Sequence, residues 1–424
     1  MLALAFVLFF GMLILGVPIA FAMGLGSALA LFFKSDTSIM LVGQRLFAGV
    51  NSFSLMAIPF FMLAGEFMEP GGISKRLVNF SHAVVGHITG GLGMVDILTS
   101  IIFAGVSGSA AADTAAVGSI LIPSMKKKGY PRGLAAVIQA TAGSLGPIIP
   151  PSLTMIIYCS LTGISIGALF MSGVIPGLII GLGIMFITYL YARKLGIKGE
   201  KRATFRELMI ATKEASLALV MPVIIIGGII FGIFTATEAG AIAVVYSFII
   251  GFFVYKEYTI KDIPKIVLNA AATTSMAMLI IAGAAIFSWL VAFAKLPALV
   301  VGFLTSLTNS PYVILMLLVG FLFIVGMFIE TIAATIIVAP ILMPVAAQYG
   351  IEPIQFALIM VITLVYAGVT PPVGGVLFIT MGIAEAKMKD TLRYLMPYLG
   401  VVVAVLLLLI FIPSVSLFLP NLLF

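Results

Sequence analysis

Two carboxylates stand in otherwise apolar parts of this 424-residue chain, each beside small or hydroxyl-bearing residues. Asp113 ends a run that begins Ser107-Gly-Ser, and Glu330 lies between Gly326 and Thr331. A carboxylate at membrane depth is costly and faces the protein interior or a wet cavity. Hard cations prefer oxygen ligands, and carboxylate, hydroxyl and carbonyl oxygens all occur in these runs. The runs therefore predict cation binding, although their small residues are equally suited to close helix packing.

The segments around these carboxylates occur twice, 221 positions apart. Each copy holds a small-residue break, followed by a second apolar stretch interrupted by two adjacent prolines. In a strongly apolar chain, matched interruptions of this kind indicate the binding site of a secondary transporter. The matched prolines are Pro123 and Pro344, Pro150 and Pro371, Pro151 and Pro372, and Pro176 and Pro397.

The interrupted stretches, 141–152 and 366–375, are predicted to free backbone oxygens. Proline removes an amide donor and clashes with the carbonyl one turn back, so two adjacent prolines unwind a helix. Freed carbonyls and the C-terminal ends of half-helices favour a cation, whereas the N-terminal ends favour a carboxylate. We therefore expect two oxygen-lined sites, one in each copy.

The composition defines a membrane protein and excludes several other classes. Hydrophobic residues make up 62% of the chain and charged residues 9%, against about 25% charged in soluble domains. The net charge of +7 lies in short loops, a pattern that orients membrane proteins and does not indicate nucleic acid binding. One cysteine and two histidines are too few for a disulfide framework, a haem or an iron–sulfur centre. Motifs for phosphate binding and for zinc or serine hydrolysis are absent from the sequence, so no enzyme is expected.

Nine apolar stretches are predicted to cross the membrane, and two more to enter and leave on one side. These two, 92–127 and 311–347, have a small or polar break near the middle. Each half has about 14–17 residues, whereas a crossing needs about 20. Such re-entrant hairpins are tolerated only inside protein or beside a wet cavity. The predicted crossings are 2–32, 48–68, 133–160, 169–192, 214–233, 236–255, 268–290, 353–381 and 393–412.

The loop charges predict that the two copies face opposite ways. Five basic segments fall on one side of these crossings, which the positive-inside rule makes cytoplasmic. The loop after the second hairpin, 348–353, has no basic residue, unlike its counterpart 126–132 after the first. The basic segments are 75–76, 126–132, 193–206, 256–265 and 387–393.

The predicted fold class is an all-α integral membrane protein, built as an inverted-topology repeat with two re-entrant helical hairpins and two broken transmembrane helices. The first repeat covers 1–192, with its hairpin at 92–127 and its broken span at 133–160. A linking segment and span cover 193–235. The second repeat covers 236–424, with its hairpin at 311–347 and its broken span at 353–381.

With these motifs, the chain resembles the large membrane subunit of the tripartite ATP-independent periplasmic (TRAP) transporters. The resemblance runs nearly end to end, from residues 16–20 to residues 413–416. Its most specific stretches are 107–118, 149–152, 176–178, 237–239 and 370–374.

This resemblance implies a sodium-driven importer of organic acids, such as C4-dicarboxylates, sialic acid or other sugar acids, in the bacterial inner membrane. A periplasmic substrate-binding protein would deliver the substrate, and a small four-span membrane subunit would flank the large one among the membrane lipids. At least two sodium ions would bind. Both hairpins and both broken spans would slide as one body against a scaffold, in an elevator mechanism. A sugar acid such as sialic acid is favoured on the resemblance alone.

The resemblance also assigns site residues. A first sodium site would be formed by Ser107, Gly108, Ser109, Ser144 and Gly146. A second would be formed by Gly326, Glu330, Thr331, Gly368 and Thr370. The substrate would lie between the hairpin tips, near Asp113, Thr114, Pro150 and Thr335. The second tip lacks the Ser-Gly-Ser of the first.

The sequence leaves two other functions open. One is a stand-alone divalent-anion/sodium symporter with similar inverted hairpins but no partner proteins. The other is a channel or a membrane-enzyme subunit. Sodium-driven uptake by the chain alone would favour the first, and electrical currents without saturable uptake would favour the second.

Overall fold

The chain forms helices and no strand over the residues that the structure, a computed structural model, describes: 1–34, 38 and 40–424. A 3-10 turn at 53–56 and a π turn at 250–254 extend two of the helices. The helices are α1 Leu2–Ile14, α2 Ile19–Lys34, α3 Met40–Val50, α4 Ala57–Met68, α5 Ile73–Val85, α6 Gly91–Ser107, α7 Ala110–Lys127, α8 Arg132–Gly143, α9 Leu153–Thr162, α10 Ile166–Lys194, α11 Phe205–Ile230, α12 Ala236–Ile249, α13 Ile263–Phe293, α14 Leu296–Leu307, α15 Pro311–Phe328, α16 Thr331–Gln348, α17 Pro353–Ala367, α18 Gly375–Ala384, α19 Met388–Phe411 and α20 Ser414–Leu423.

Helix length and apolarity confirm a multi-pass membrane protein. Seven helices of the described chain are long and apolar enough to cross a bilayer, or eight if the bent pair α3–α4 counts as one span. The longest, α10 and α13, have 29 and 31 residues, more than the roughly 20 that a crossing needs. They include the predicted crossings 169–192 and 268–290.

The prediction of one crossing over 2–32 is wrong. This stretch folds as α1 and α2, joined at residues 15–18, where Gly16 has a left-handed φ of +81°. The two helices pack antiparallel, because Gly26 of α2 lies against the backbone of Phe9 in α1. Glycine adopts positive φ readily, and proline disfavours a continuing helix. The sequence Gly-Val-Pro was therefore the signal for a turn.

The predicted crossing 48–68 is longer than expected and bent. It begins with α3 at Met40, and the axis turns by 57° before the 3-10 turn that precedes α4. The bend follows Asn51 and Ser52, and Ser52 has an extended backbone. Asparagine and serine favour caps and turns over helix interiors because their side chains compete for backbone hydrogen bonds.

Three helices, α5, α14 and α20, lie outside every predicted span. Of the hairpin arms, α6 has 17 residues, within the predicted 14–17, whereas α7, α15 and α16 have 18 each and are slightly longer than predicted. The small residues beside each break remain helical, so the arms extend to the tips. By length and composition α15 and α16 could each cross a bilayer, and entry from one side only stays a prediction.

The offset of 221 recurs in the helix boundaries. α7 spans Ala110–Lys127 and α16 spans Thr331–Gln348. The peptide bonds Pro150–Pro151 and Pro371–Pro372, at the same offset, are both cis. The two copies therefore share their local backbone conformations as well as their sequence pattern.

The helices pack in two groups. The outer group comprises α1–α4, α12 and α13, and the inner bundle comprises α6–α10 and α15–α20. α5 and α11 pack on each other and connect the groups, since α5 contacts α6 and α11 contacts α12. Inside the inner bundle the packing is reciprocal: α7 packs against α18, and α16 packs against α9. Each hairpin therefore packs against the broken span of the other copy as well as that of its own, since α7 also packs against α8 and α16 against α17.

Ion pairs join the basic segments in two sets: 75–76 with 256–265, and 126–132 with 193–206 and with Glu385 beside 387–393. His82, on the same helix as the first segment, contacts Glu200 of the third and links the two sets. That all five segments lie on one side of the membrane stays a prediction. Exposed pairs contribute about 0–1 kcal/mol each, so they indicate proximity more than stability. Glu385, next to the fifth segment, pairs with two residues of the second. The pairs are Arg76–Glu257 at 2.9 Å, Lys128–Glu200 at 2.8 Å, His82–Glu200 at 3.1 Å, Lys126–Glu385 at 3.2 Å and Arg132–Glu385 at 3.3 Å.

Candidate functional site

The first hairpin tip is docked on the first broken span. α6 ends at Ser107, Gly108 has a φ of +64°, and Ser109 caps α7 by accepting the Ala112 amide at 3.4 Å. The Gly108 carbonyl accepts a hydrogen bond from the Leu153 amide at 3.4 Å. A Cβ at position 108 would lie 2.5 Å from a carbonyl oxygen of the broken span. Only glycine fits this close, left-handed turn.

The second tip is docked in the same way with different residues. α15 ends at Phe328, Ile329 is extended, and Glu330 caps α16 by accepting the Ala333 amide at 3.1 Å. The Met327 carbonyl accepts a hydrogen bond from Val373, in the second broken span, at 3.2 Å. Glu330, predicted as a sodium ligand, is exposed and serves as a helix cap.

The two broken spans are unwound where the prolines predict. α8 ends at Gly143 and α9 begins at Leu153, and α17 and α18 leave a similar gap at 368–374. The two breaks are joined across the copies, because the buried Tyr366 hydroxyl donates to the Thr141 carbonyl at 3.1 Å. The prediction of two broken helices is confirmed.

Four of the predicted site residues form one cluster at the first junction. The Ser107 hydroxyl donates to Oδ1 of Asp113, and the Ser109 amide donates to the Ser107 hydroxyl at 3.2 Å. Gly146 lies directly against the Asp113 carboxyl group and the backbone of Ser109. Asp113 is fully buried, and its Oδ2 has no hydrogen-bond partner. The structure thus brings Asp113, predicted to bind substrate, among the residues predicted to bind the first cation.

Two further residues lie on either side of this cluster. The buried Thr114 hydroxyl has no hydrogen-bond partner, and a Cβ at Gly143 would lie 3.1 Å from the Thr114 amide. The Ser144 hydroxyl donates to the Ala140 carbonyl of its own helix at 2.8 Å. The Ser144 side chain is thus engaged locally, while its backbone belongs to the unwound stretch.

A second cluster surrounds the carbonyl oxygen of Leu364. The Thr331 hydroxyl donates to it at 3.5 Å, and a Cβ at Gly326 would lie 3.2 Å from it. A Cβ at Gly368 would lie 3.5 Å from the Thr331 hydroxyl. The Thr370 hydroxyl donates back to the Tyr366 carbonyl at 3.0 Å. Three of the five residues predicted for the second sodium site therefore lie together.

The other two predicted substrate residues are engaged elsewhere. Thr335 is buried and donates to the Thr331 carbonyl at 2.8 Å. The carbonyl of Pro150 faces Gly105 of α6, 3.7 Å from the position of a Cβ there. Among the described residues, no hydrogen bond joins Pro150 or Thr335 to Asp113.

A cleft connects the first tip to the end of the molecule that carries the basic segments. Its narrow part, about 80 Å³, lies beside Ser107, Ser109 and Leu153, and its wide part, about 620 Å³, reaches Lys75 and Lys265. Both parts share Glu66, Glu69 and Ala116. A solute entering from this end would therefore meet α4 on one wall and the first hairpin on the other.

Sequence reasoning missed a second buried carboxyl group, Asp96 on α6, and the fully buried Gln139 on α8. Gln139 donates to the Asp113 carbonyl at 3.3 Å. The rule that singled out Asp113 applies equally to Asp96, since both are carboxylates inside an apolar run. The link through Gln139 had no sequence signal, because the three residues lie on three different helices.

Two hairpins docked tip first on two broken helices, in an all-helical membrane protein, define the class of secondary transporters built from internal repeats. Residues 6–415 match the family model for the tripartite ATP-independent periplasmic transporter, DctM component, and the chain belongs to this family. The resemblance drawn from the motifs is confirmed.

Three curated relatives of this chain are named as large permease proteins. The C4-dicarboxylate TRAP transporter large permease protein DctM of Pseudomonas aeruginosa is 40% identical over 94% of each chain. The 2,3-diketo-L-gulonate TRAP transporter large permease protein YiaN of Escherichia coli is 39% identical over 97% of this chain and 98% of that one. The sialic acid TRAP transporter large permease protein SiaM of Vibrio cholerae is 36% identical over 97% and 96%.

Among solved structures, the chain resembles the YdaH transporter of Alcanivorax borkumensis, whose crystal structure was described as having an unusual topology. The TM-score is 0.64, with 13% sequence identity and 89% of each chain covered. At this identity the likeness concerns the fold alone, and it agrees with the membrane fold class predicted from the sequence.

Proposed function

We propose that this chain is the large membrane subunit of a sodium-coupled importer that carries an organic acid across the bacterial inner membrane. The observation that carries the proposal is the doubled docking of a hairpin tip on a broken helix, through the Gly108 and Met327 carbonyls. Unwound backbone and half-helix ends at membrane depth supply the neutral oxygens that bind Na⁺ in secondary transporters. Each junction supplies such oxygens once.

The proposed roles follow the two clusters. One sodium ion is held at the first junction and a second around the Leu364 carbonyl, and the organic acid binds between the tips. The residues are Ser107, Gly108, Ser109, Ser144 and Gly146 for the first ion; Gly326, Glu330, Thr331, Gly368 and Thr370 for the second; and Asp113, Thr114, Pro150 and Thr335 for the substrate.

The word tripartite in the family description supports two partners, a small four-span membrane subunit and a periplasmic substrate-binding protein. The substrate itself is open among organic acids. Relatives named for a C4-dicarboxylate, a keto sugar acid and sialic acid are 40%, 39% and 36% identical, so overall similarity does not select one. We favour a sugar acid, on family resemblance.

We propose that the inner bundle moves against the outer group as an elevator. The Tyr366–Thr141 hydrogen bond and the reciprocal packing of hairpins on broken spans support motion of the bundle as one body. The cleft beside Ser107 and Ser109, which lies between α4 and the first hairpin, supplies a route to the tip from the end with the basic segments.

Reconstituted uptake tests the proposal and its rival. The chain, the small subunit and the binding protein are placed in and around liposomes, and organic-acid uptake is followed with and without a sodium gradient. Uptake that needs all three components supports the proposal. Sodium-driven uptake by the chain alone would favour the stand-alone symporter instead.

Two substitutions test the site map in the same assay. Asp113→Ala and Thr370→Val should each abolish sodium-dependent uptake while the protein stays folded, because each alters one proposed site. Thr391→Val is the matched control: its buried hydroxyl donates within its own helix, to the Lys387 carbonyl at 3.0 Å, on α19 and outside both proposed sites. Normal sodium dependence in both site variants would refute the map.

A further inference from the structure

Asp96 is a fully buried carboxyl group for which the proposed transport mechanism has no use. It lies near the start of α6, with none of its surface exposed. The ion pairs of the described chain do not include it. An unpaired charge in an apolar interior is so unfavourable that such a group takes up a proton instead. Asp96 therefore needs either a proton or a donor.

The side chain next to Asp96 is the amide of Gln139, which lies between α6 and α7. Its Nε2 donates to the Asp113 carbonyl at 3.3 Å. The other atom of the amide lies 2.5 Å and 3.0 Å from the two carboxyl oxygens of Asp96. Gln139 thus bridges one buried carboxyl group to the backbone beside the other.

The amide group of Gln139 has two orientations, and they require different charges on Asp96. With Nε2 toward Asp113, the amide oxygen accepts a hydrogen bond from Asp96, so Asp96 must carry a proton. With the amide turned over, nitrogen donates to an ionised Asp96, and the amide oxygen faces the Asp113 carbonyl with no proton between them. The second arrangement leaves two buried acceptors opposed, which costs about 1–3 kcal/mol.

The hydrogen bond to Asp113 distinguishes the two orientations. The bond of 3.3 Å from Nε2 to the Asp113 carbonyl exists only with the amide nitrogen toward Asp113. The amide oxygen then faces the carboxyl oxygens of Asp96, and two acceptor oxygens in contact need a proton between them. The donor in that bond is the neutral carboxyl group of Asp96.

Gly118 shows that α7 is shaped around Gln139. A Cβ at position 118 would lie 3.0 Å from Cγ of Gln139, so the side chain lies directly against the α7 backbone. The second copy has no such bridge, since the positions that match Asp96 and Gln139 are Leu317 and Met360.

We propose that Asp96 is a positioning residue that carries a proton, and that through Gln139 it holds the start of α7, and with it the first hairpin tip, in the ion-binding arrangement. Loss of the proton turns the amide and removes the hydrogen bond to the Asp113 carbonyl. The cluster of Ser107, Asp113 and Gly146 then loses a support. The transport readout of this inference rests on the proposed sodium coupling, whereas the proton on Asp96 is measured without transport.

The titratable groups that face Asp96 come from three other elements. Tyr130, from the turn before α8, and Tyr398 of α19 face it, and Asp113 of α7 lies beyond Gln139. The Tyr130 hydroxyl accepts the Gly93 amide at 3.2 Å, and the Tyr398 hydroxyl shares a hydrogen bond of 2.9 Å with Thr188. Tyrosine ordinarily titrates near pH 10.

Infrared difference spectroscopy of the purified chain tests the protonation directly. The wild-type spectrum minus that of Asp96→Asn should show the C=O stretch of a protonated carboxyl group at neutral pH. This band should shift on exchange into heavy water. A difference spectrum with carboxylate bands alone would overturn the proposal, whatever the transport assay gives.

The positioning role is tested by the sodium concentration for half-maximal uptake, measured against pH. In the wild type this concentration should rise about tenfold at alkaline pH, the value of one hydrogen bond of roughly 1.4 kcal/mol. Asp96→Asn keeps a donor toward Gln139, so it should transport without that rise. Asp96→Leu has no donor and should show the raised concentration at every pH.

Thr99→Val is the matched control on the same helix. Its buried hydroxyl has no hydrogen-bond partner, so its loss should leave both the uptake and its pH dependence as in the wild type. A wild-type pH dependence in Asp96→Asn, or wild-type sodium dependence in Asp96→Leu, would overturn the positioning role. Wild-type uptake without any sodium dependence would instead count against the proposed function, and the infrared result would still decide the protonation.

Discussion

The two hairpin junctions have the same backbone plan and different side-chain chemistry. Ser109 caps α7 and Glu330 caps α16 at matching positions, and a carbonyl of each tip accepts an amide of the broken span in its own copy. The first junction adds the buried carboxyl group of Asp113, where the second has Ala334. The duplicated feature is therefore the backbone arrangement, and the buried acidic chemistry belongs to one copy.

This difference separates two kinds of function. A site made of carbonyl oxygens tolerates changes of side chain, so we expect both junctions to bind a cation. A step that depends on a proton near neutral pH requires a group such as a carboxyl, and the fully buried carboxyl groups of the described residues, Asp96 and Asp113, lie in the first copy. Four experiments test whether the two junctions differ in this way.

The largest expected effect concerns the orientation of the two copies in the membrane, because each loop should be labelled from one side only. Lys128→Cys and Gln348→Cys place a thiol in the matching loops after the two hairpins. The native Cys159 is buried, so the unsubstituted chain should not react with a membrane-impermeant thiol reagent. One variant should be labelled from outside intact cells and the other only after the cells are opened. Labelling of both from one compartment would end the inverted interpretation.

The next effect concerns the tips themselves. Gly108→Ala should remove most uptake and lower the thermal stability, because a left-handed backbone costs an L-residue about 1–2 kcal/mol and its Cβ would meet the broken span at 2.5 Å. Ile329→Val, at the matching position, should change little, since the backbone there is extended with φ −118°. Equal losses in both variants would show that the tips are not conformationally different.

A smaller effect is expected from the helix caps. Removing an N-cap costs about 0.5–2 kcal/mol, so Ser109→Ala and Glu330→Ala should each lower the unfolding temperature in detergent. Glu330→Ala should cost more, because its hydrogen bond is 3.1 Å against 3.4 Å for Ser109 and a carboxylate also favours a helix N-terminus. A larger loss for Ser109→Ala would mean that Ser109 contributes mainly through Ser107 and Gly146.

The smallest effect concerns the loops and depends on pH. The hydrogen bond from Lys128, with the nearby His82, lowers the pKa of Glu200 below its ordinary value of 4.5. A lowered carboxyl pKa adds stability that is present above about pH 4.5 and is lost as the pH falls through the folded-state value. Glu200→Gln should therefore reduce the acid sensitivity of thermal stability, by less than about 1 kcal/mol since the pair is exposed. Glu352→Gln is the control, because Glu352 lies in the loop that matches the one holding Lys128 and forms no ion pair among the described residues. This variant should change the acid sensitivity less than Glu200→Gln does.

The breaks were predictable from sequence because proline and glycine act on their own backbone. The expected interruption 141–152 corresponds to the gap between α8 and α9, and 366–375 to the gap between α17 and α18. The first helices were not predicted, because apolarity shows that a segment belongs in lipid but not whether it turns back within it. Gly16 and Pro18 were the two residues that indicated the turn.

The clusters were only partly predictable. Sequence reasoning selected Ser107, Asp113 and Gly146, but it could not predict which way the Asp113 carboxyl group points, since each helical residue turns the direction by about 100°. The bridge from Asp96 through Gln139 depends on the packing of three helices. Such packing is a property of the folded chain and has no local signal.

The packing of one arm of each hairpin against the opposite copy has a consequence for how the protein is made. Because α7 packs against α18 and α16 packs against α9, neither half completes its interior packing alone. Most of the polypeptide must be synthesised before α7 can pack against α18. Contacts between residues so far apart in sequence form slowly. Split into two genes, the halves would have to meet in the bilayer before either reached its native shape.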